Sequence, residues 1–235
     1  MEPEYRLHYA PDNASLIIRL VLEELGRPYE CVLVDRRAEA QNSAAYRALN
    51  PNGLIPVLET PDGPLFETAA ILLWLSERHG ALAPQPGNAD RAAFLKWLVF
   101  ASNTLHADLR MLFYPEKYIG DAAADQAQLQ KVLRQRLQLH LTHLDQAAAG
   151  RPSWLGAPQP SVLDYYLACQ MRWMALYPAQ ADKSWFALSR YPSLQRLCAG
   201  LESRPAVTAA REAEGLGATP FTSPAYANPP EGSAT

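Results

Sequence analysis

The stretch IPVLETPDGPLF, residues 55–66, constrains the fold more than any other part of the chain. Two apolar runs flank TPDG, a tetrapeptide whose Pro and Gly suit a tight turn, so the runs pair as an antiparallel hairpin. Upstream lies a different pattern. YRLHY, with Tyr5, Leu7 and Tyr9 alternating, is followed by SLIIRLVLEEL, apolar at 17, 18, 21, 22 and 25, and then by YECVLVD. Strand, helix and strand in that order imply a parallel pair joined by a right-handed crossover. A chain carrying both signals builds a small mixed sheet with helices on its faces. The order over residues 1–80 is βαβαββα: Gly26 closes the first helix, SAAYRAL supplies a short second one, and ETAAILLWLSERH supplies a third that stops at Gly80.

Residues 81–89 lie within ALAPQPGNAD, where two prolines and a glycine mark a linker. From 90 to 215 the pattern is all helical. RAAFLKWLVFASNTLHADLRMLF reads as one long helix, and residues 126–147 carry a stripe of Leu129, Val132, Leu133, Leu137, Leu141 and Leu144. PSVLDYYLACQMRWMALY opens with Ser161 and Asp164 at the spacing of a capping box, which gives both a structural role. YPSLQRLCAGLESRPAV holds a helix ending near Arg204, with Pro205 able to start the next. Residues 216–235 contain four prolines and no apolar period, so an irregular tail is expected, anchored by Phe221 and Tyr226.

Composition excludes some functions. A net charge of −3 and the lack of any Lys or Arg run give no field for a phosphate backbone, so no nucleic-acid partner is expected. The N-terminus has no basic segment leading into an apolar one, and runs such as AAILLWL are too short to span a bilayer, which predicts no membrane association and a cytoplasmic protein. Cys31, Cys169 and Cys198 are far apart, with neither CxxC nor zinc-ligand spacing. They read as buried small hydrophobes in a reducing compartment, and no metal site is expected.

In this order and spacing, YAPDNAS, NPNGLIPVLET, ETAAILLWL, PSVLDYYLA and YPSLQRLCAGLESRPAV resemble the cytosolic glutathione transferases, in particular the bacterial beta-like group. The resemblance covers about residues 5–212. It implies an α/β, thioredoxin-like N-terminal domain that binds glutathione as co-substrate, an all-α C-terminal bundle that shapes the second-substrate pocket, detoxifying conjugation chemistry and a homodimer. It also implies that Pro56 is cis and that the Ile55 backbone pairs with the cysteinyl unit of glutathione as an added strand does. Thr68 would bind the γ-glutamyl carboxylate at a helix N-terminus while Glu67 faces the ammonium. Taken alone, Ile55-Pro56 reads as a turn before an edge strand, and Glu67-Thr68 as ordinary helix-start chemistry. Their occurrence together favours the ligand.

Transferase chemistry needs the glutathione thiolate, and a free thiol, with a pKa of ~8.5, is mostly protonated at neutral pH. Ser15, at a strand-to-helix loop, is the first candidate to donate a hydrogen bond to the sulfur and also to cap the helix, with Tyr9 and Asn13 as further donors. Ala14 stands where the beta-like pattern commonly has cysteine, which removes mixed-disulfide chemistry through the protein. Glu39 stands where a basic residue often binds the glycyl end, with Arg37 close by, and Leu54 where Gln or Lys is usual. Asn103 and His106, three apart on a helix, match residues lent to the cleft by the second domain. Met111, Phe113, Tyr114, Tyr166 and Trp173 are candidates for an apolar acceptor pocket, with core packing as the alternative. The expected function is transfer of the thiolate to small apolar electrophiles. Glutathione-dependent reduction of peroxides or disulfides, and a non-catalytic interaction protein of the same fold, are the alternatives.

Overall fold

A computed structural model describes residues 3–234. Strand β1 (Tyr5–Tyr9) lies parallel to β2 (Tyr29–Leu33) and antiparallel to β3 (Val57–Thr60), which pairs with β4 (Gly63–Leu65). The sheet is mixed and four-stranded, in the order β2-β1-β3-β4. Leu7 sits opposite both Cys31 and Leu58, and Leu58 opposite Leu65. Alternation buries Tyr5, Leu7 and Tyr9, while Arg6 between the first two is exposed. In the TPDG turn, Thr60 Oγ1 donates to the Gly63 carbonyl at 2.8 Å and accepts from the Asp62 N–H at 3.1 Å.

Helix α1 (Ser15–Leu25) makes the crossover, and every residue from Ser15 to Leu22 is buried. The burial is all round because α1 touches the sheet as well as α3 (Thr68–His79), α8 (Val162–Leu176) and α10 (Pro205–Glu214). The short α2 (Ala44–Leu49) closes a smaller core of Val34, Tyr46 and Val57, and Ser43 caps it by accepting from the Tyr46 N–H.

The remaining helices are α4 (Arg91–Phe100), α5 (Ala107–Phe113), α6 (Glu116–Ile119), α7 (Ala123–Ala149) and α9 (Pro192–Glu202), besides α8 and α10. The single long helix expected over residues 91–113 runs through, but a π-helical stretch at Ala101–His106 separates α4 from α5. Gln170 on α8, wholly buried, donates from Nε2 to the Ala101 carbonyl at 3.0 Å, a backbone group that an undisturbed α-helix would keep for itself. On α7, Leu133, Leu137, Leu141 and Leu144 form the expected buried stripe, whereas Val132 faces out, 42% exposed. The Ser161–Asp164 capping box is present at the start of α8. Asp164 accepts from the Ser161 N–H at 2.6 Å and the Gly156 N–H at 2.7 Å, and burial pushes its carboxyl up to about 6 against those bonds.

After Glu214 the described chain has neither helix nor strand, yet side chains tie it down. Phe221 is buried, its N–H and that of Thr222 donate to Glu202, and the Tyr226 hydroxyl donates to the Leu176 carbonyl at 2.9 Å. Gly215, at φ +62°, lets the returning chain pass, because a Cβ there would lie 2.0 Å from the Asn228 oxygen. Among the described residues, no helix is long and apolar enough to cross a membrane.

Candidate active site

A cleft of about 390 Å³ opens between the two halves of the molecule. Its walls are the loop before α1 (Asp12, Asn13, Ala14), the segment before β3 (Gly53 to Pro56), the start of α3 (Glu67, Thr68), and residues of α5, α8 and the π-helical stretch. The Ile55-Pro56 bond is cis. Tyr46 Oη and Asn50 Nδ2 both donate to the Leu54 carbonyl at 2.8 Å, which fixes the approach to Ile55.

The loop before α1 is held by buried charge. Asp12, at φ +51°, takes both forks of Arg172 at 2.8 Å, the Tyr177 hydroxyl at 2.6 Å and the Trp173 indole N–H at 3.1 Å. Its own N–H donates to Glu214 at 2.8 Å, and Glu214 accepts from Arg19 Nε at 2.7 Å. Arg172 is fully buried and also donates to the carbonyls of Pro220 and Ala225. Such a network is stable only because each charge is paired and its remaining protons satisfied. Burial pushes the Glu214 carboxyl above the usual carboxylate range, against the pull of Arg19.

Three hydroxyl or amide groups were expected at the sulfur, and the fold separates them. Ser15 is wholly buried, outside the cleft, and closes the loop on one residue: Oγ accepts from the Ala10 N–H at 3.2 Å and donates to the Ala10 carbonyl at 3.0 Å. It is not a cap either, since Ala14 holds the N-cap position without a side-chain bond. Tyr9 is buried beneath the Arg19 guanidinium, its hydroxyl donating to Glu231 of the tail, and burial raises its pKa. Asn13 does line the cleft. Its Oδ1 accepts from the Ala14 N–H at 2.7 Å, and its Nδ2 makes no hydrogen bond among the described residues. The Ser15 N–H, first in α1, makes no hydrogen bond among the described residues.

Glu67 and Thr68 stand where α3 begins, both in the cleft wall. Glu67 adopts φ +70°, a conformation that costs a non-glycine residue of order 1–3 kcal/mol and concentrates at functional sites. Arg37 is exposed and does not reach the cleft; Arg36 does. Asp35 Oδ1 accepts from the Arg37 N–H at 2.9 Å, and this turn sends the two neighbouring arginines in different directions. Beside Arg36, Gln41 lines the cleft with its Oε1 buried and without a hydrogen-bond partner among the described residues. No sequence pattern singled out Gln41.

On the helical side, the π-helical stretch changes which residues face inward. Asn103 is exposed, while Ser102 and His106, four apart, line the cleft, as the wider π turn requires. His106 Nδ1 lies 2.9 Å from the Tyr166 hydroxyl, and its ring lies 5.6 Å from that of Trp173. Burial, helped by the nearby Arg110 guanidinium, pushes His106 down to about 4, so the imidazole is neutral at physiological pH. Phe113, Tyr114, Tyr166 and Trp173 line the cleft; Met111 packs on the core instead. Arg110 and Lys117 complete this wall. Among the described residues, no group of three or more His, Cys, Asp or Glu could hold a metal ion.

Sequence comparison places this geometry among known proteins. Residues 14–78 match the glutathione S-transferase N-terminal domain, and residues 121–200 the C-terminal domain. The solved ternary complex of BphK, a bacterial glutathione transferase, is 31% identical, with a TM-score of 0.72 over 90% of this chain and 100% of that one. The chain belongs to the glutathione S-transferase family. A sphingomonad glutathione S-transferase, solved with glutathione, is 30% identical with a TM-score of 0.71 over the same shares of the two chains. Glutathione S-transferase GST-4.5 of Xanthomonas campestris is 29% identical over 90% of this chain and 99% of its own length. The burial of α1 on all sides fits the glutathione S-transferase fold: the sheet and the helical half both pack against it.

Proposed function

We propose that the chain is a glutathione transferase, which binds glutathione in this cleft, holds its sulfur as the thiolate and adds it to an electrophilic carbon. One observation carries this reading: the N-termini of α1 and α3 open onto the same cleft, with the Ile55-Pro56 backbone between them. The α3 start offers N–H groups that make no backbone hydrogen bond among the described residues, and each helix start offers the positive end of a dipole. Two negative groups of glutathione, the sulfur and the γ-glutamyl carboxylate, suit these two ends. Thr68 takes the carboxylate and Glu67 the ammonium, while the Ile55 backbone pairs with the cysteinyl unit. Arg36 and Gln41 take the glycyl end, a role that the sequence alone assigned to Arg37.

The sulfur sits at the α1 N-terminus, where Asn13 Nδ2 donates to it. That hydrogen bond and the positive end of the α1 dipole favour the charged form, so the thiol proton passes to water. The thiolate then bonds to the acceptor carbon, and the leaving group departs with its electron pair. Neutral His106 and the Tyr166 hydroxyl, which burial keeps protonated, stand as donors where charge develops on the acceptor. No cysteine lines the cleft among the described residues, so the sulfur chemistry belongs to glutathione alone. Retention on immobilised glutathione followed by conjugation of chlorodinitrobenzene tests the reading. Retention with turnover supports it, and failure to be retained would return the chain to the class of interaction proteins.

Two copies are expected to pair as a homodimer. Val99 and Leu139, large apolar side chains 52% and 54% exposed, are suited to burial between copies, and sedimentation equilibrium reads the mass. Three free cysteines suit a reducing cytoplasm.

A further inference from the structure

The charges of the cleft exceed what glutathione uses. Asp12 is matched by Arg172, and under the transferase reading Glu67 meets an ammonium and Arg36 a carboxylate. Two cations are left on the acceptor side. Among the described residues Arg110 spends only Nε, donating to the Tyr118 hydroxyl at 2.9 Å, which leaves both terminal nitrogens of its fork. Lys117 rests its ammonium 4.6 Å above the Tyr114 ring. Neither is in an ion pair among the described residues, and both line the cleft beside Phe113 and Tyr114. A pocket shaped for a wholly apolar electrophile has no use for two unmatched cations in its wall.

Resting on the transferase reading, we propose that the acceptor is an organic anion. Arg110 and Lys117 hold its carboxylate, and its aromatic or unsaturated body lies against Phe113, Tyr114 and Trp173. The apolar acceptor expected from the sequence is thereby narrowed to an amphiphilic one, with the charged group held away from the sulfur. With a chloronitrobenzoate, for example, the thiolate forms the C–S bond, and the C–Cl bond breaks with chloride taking the electron pair.

Binding separates this idea from the chemistry. Tryptophan fluorescence of the full chain gives dissociation constants for 3,5-dinitrobenzoate and for its uncharged methyl ester. The anion should bind roughly tenfold tighter, and the preference should shrink as salt is raised. In Arg110→Gln/Lys117→Gln the ratio should fall to about one, with each single variant intermediate and usable if the double variant does not fold. Equal affinities in the parent chain, or a preference that survives both substitutions, would overturn the proposal. Calorimetry with glutathione alone keeps the two readings apart. No glutathione binding would sink the transferase reading, while the anion-to-ester ratio still decides the cation site. Two glutathiones per chain, the second lost in the double variant, would overturn the acceptor assignment by giving Arg110 and Lys117 to glutathione's own carboxylates.

Discussion

Asn13 in the loop and Ser15 at the start of α1 lie two residues apart, the first in the cleft wall and the second buried outside it. Ser15→Ala strips the Ala10 N–H and carbonyl of their partner, so it should cost about 1–2 kcal/mol in urea denaturation and leave the titration of bound thiol unmoved. His106 carries a pH dependence. Its folded pKa of about 4 lies below the ordinary 6.5, so the unfolded chain takes up a proton that the folded one refuses. The stability that this group contributes is full above 6.5 and is lost as the pH falls towards about 4. His106→Gln should flatten that limb by on the order of 2–3 kcal/mol, read as the urea midpoint against pH. At this scale the sequence located the loop, the cis proline and the α3 start, but not which neighbour turns inward. Arg36 rather than Arg37, and Ser102 rather than Asn103, are chosen by one Asx turn and one π-helical stretch, neither of which has a pattern of its own.

Elements were legible wherever their signal was local. TPDG specifies a hairpin by turn chemistry, the β1-α1-β2 order forces a parallel pair, and the Ser161–Asp164 spacing places a capping box at the start of α8. Asp164→Ala should leave the Ser161 and Gly156 N–H groups without an acceptor and cost roughly 2–4 kcal/mol by chemical denaturation. The π-helical stretch was not legible, because its residues continue an apolar helical period and the cause, Gln170, is on another helix. Arg172 did leave a trace: one strong base in the apolar run CQMRWMALY. A wholly buried arginine there required a carboxylate partner, and only the fold identifies it as Asp12. Arg172→Met should cost about 3–5 kcal/mol by taking the guanidinium away from the buried Asp12 carboxylate. The double variant with Asp12→Asn should recover part of the loss.

The whole molecule is tied together through the loop that carries the chemistry. One hydrophobic core runs from Tyr5 in the sheet to Phe221 in the tail. Arg172 joins Asp12 to the carbonyls of Pro220 and Ala225, and Glu231 reaches Tyr9 at the end of β1. Composition showed only a proline-rich, aperiodic tail; long-range side-chain bonds make it part of the site's support. Removing residues 217–235 should lower stability by about 2–4 kcal/mol through loss of Phe221 burial and of the Arg172 acceptors, measured by urea denaturation. The most direct measurement is the absorbance titration of the glutathione thiol bound to the wild-type chain and to Asn13→Ala. A thiolate held at the α1 N-terminus predicts a bound thiol that titrates roughly a unit or more below its free value of ~8.5, and that moves back up by about a unit in Asn13→Ala. A bound thiol that titrates at its free value in the wild-type chain would contradict thiolate activation at this helix.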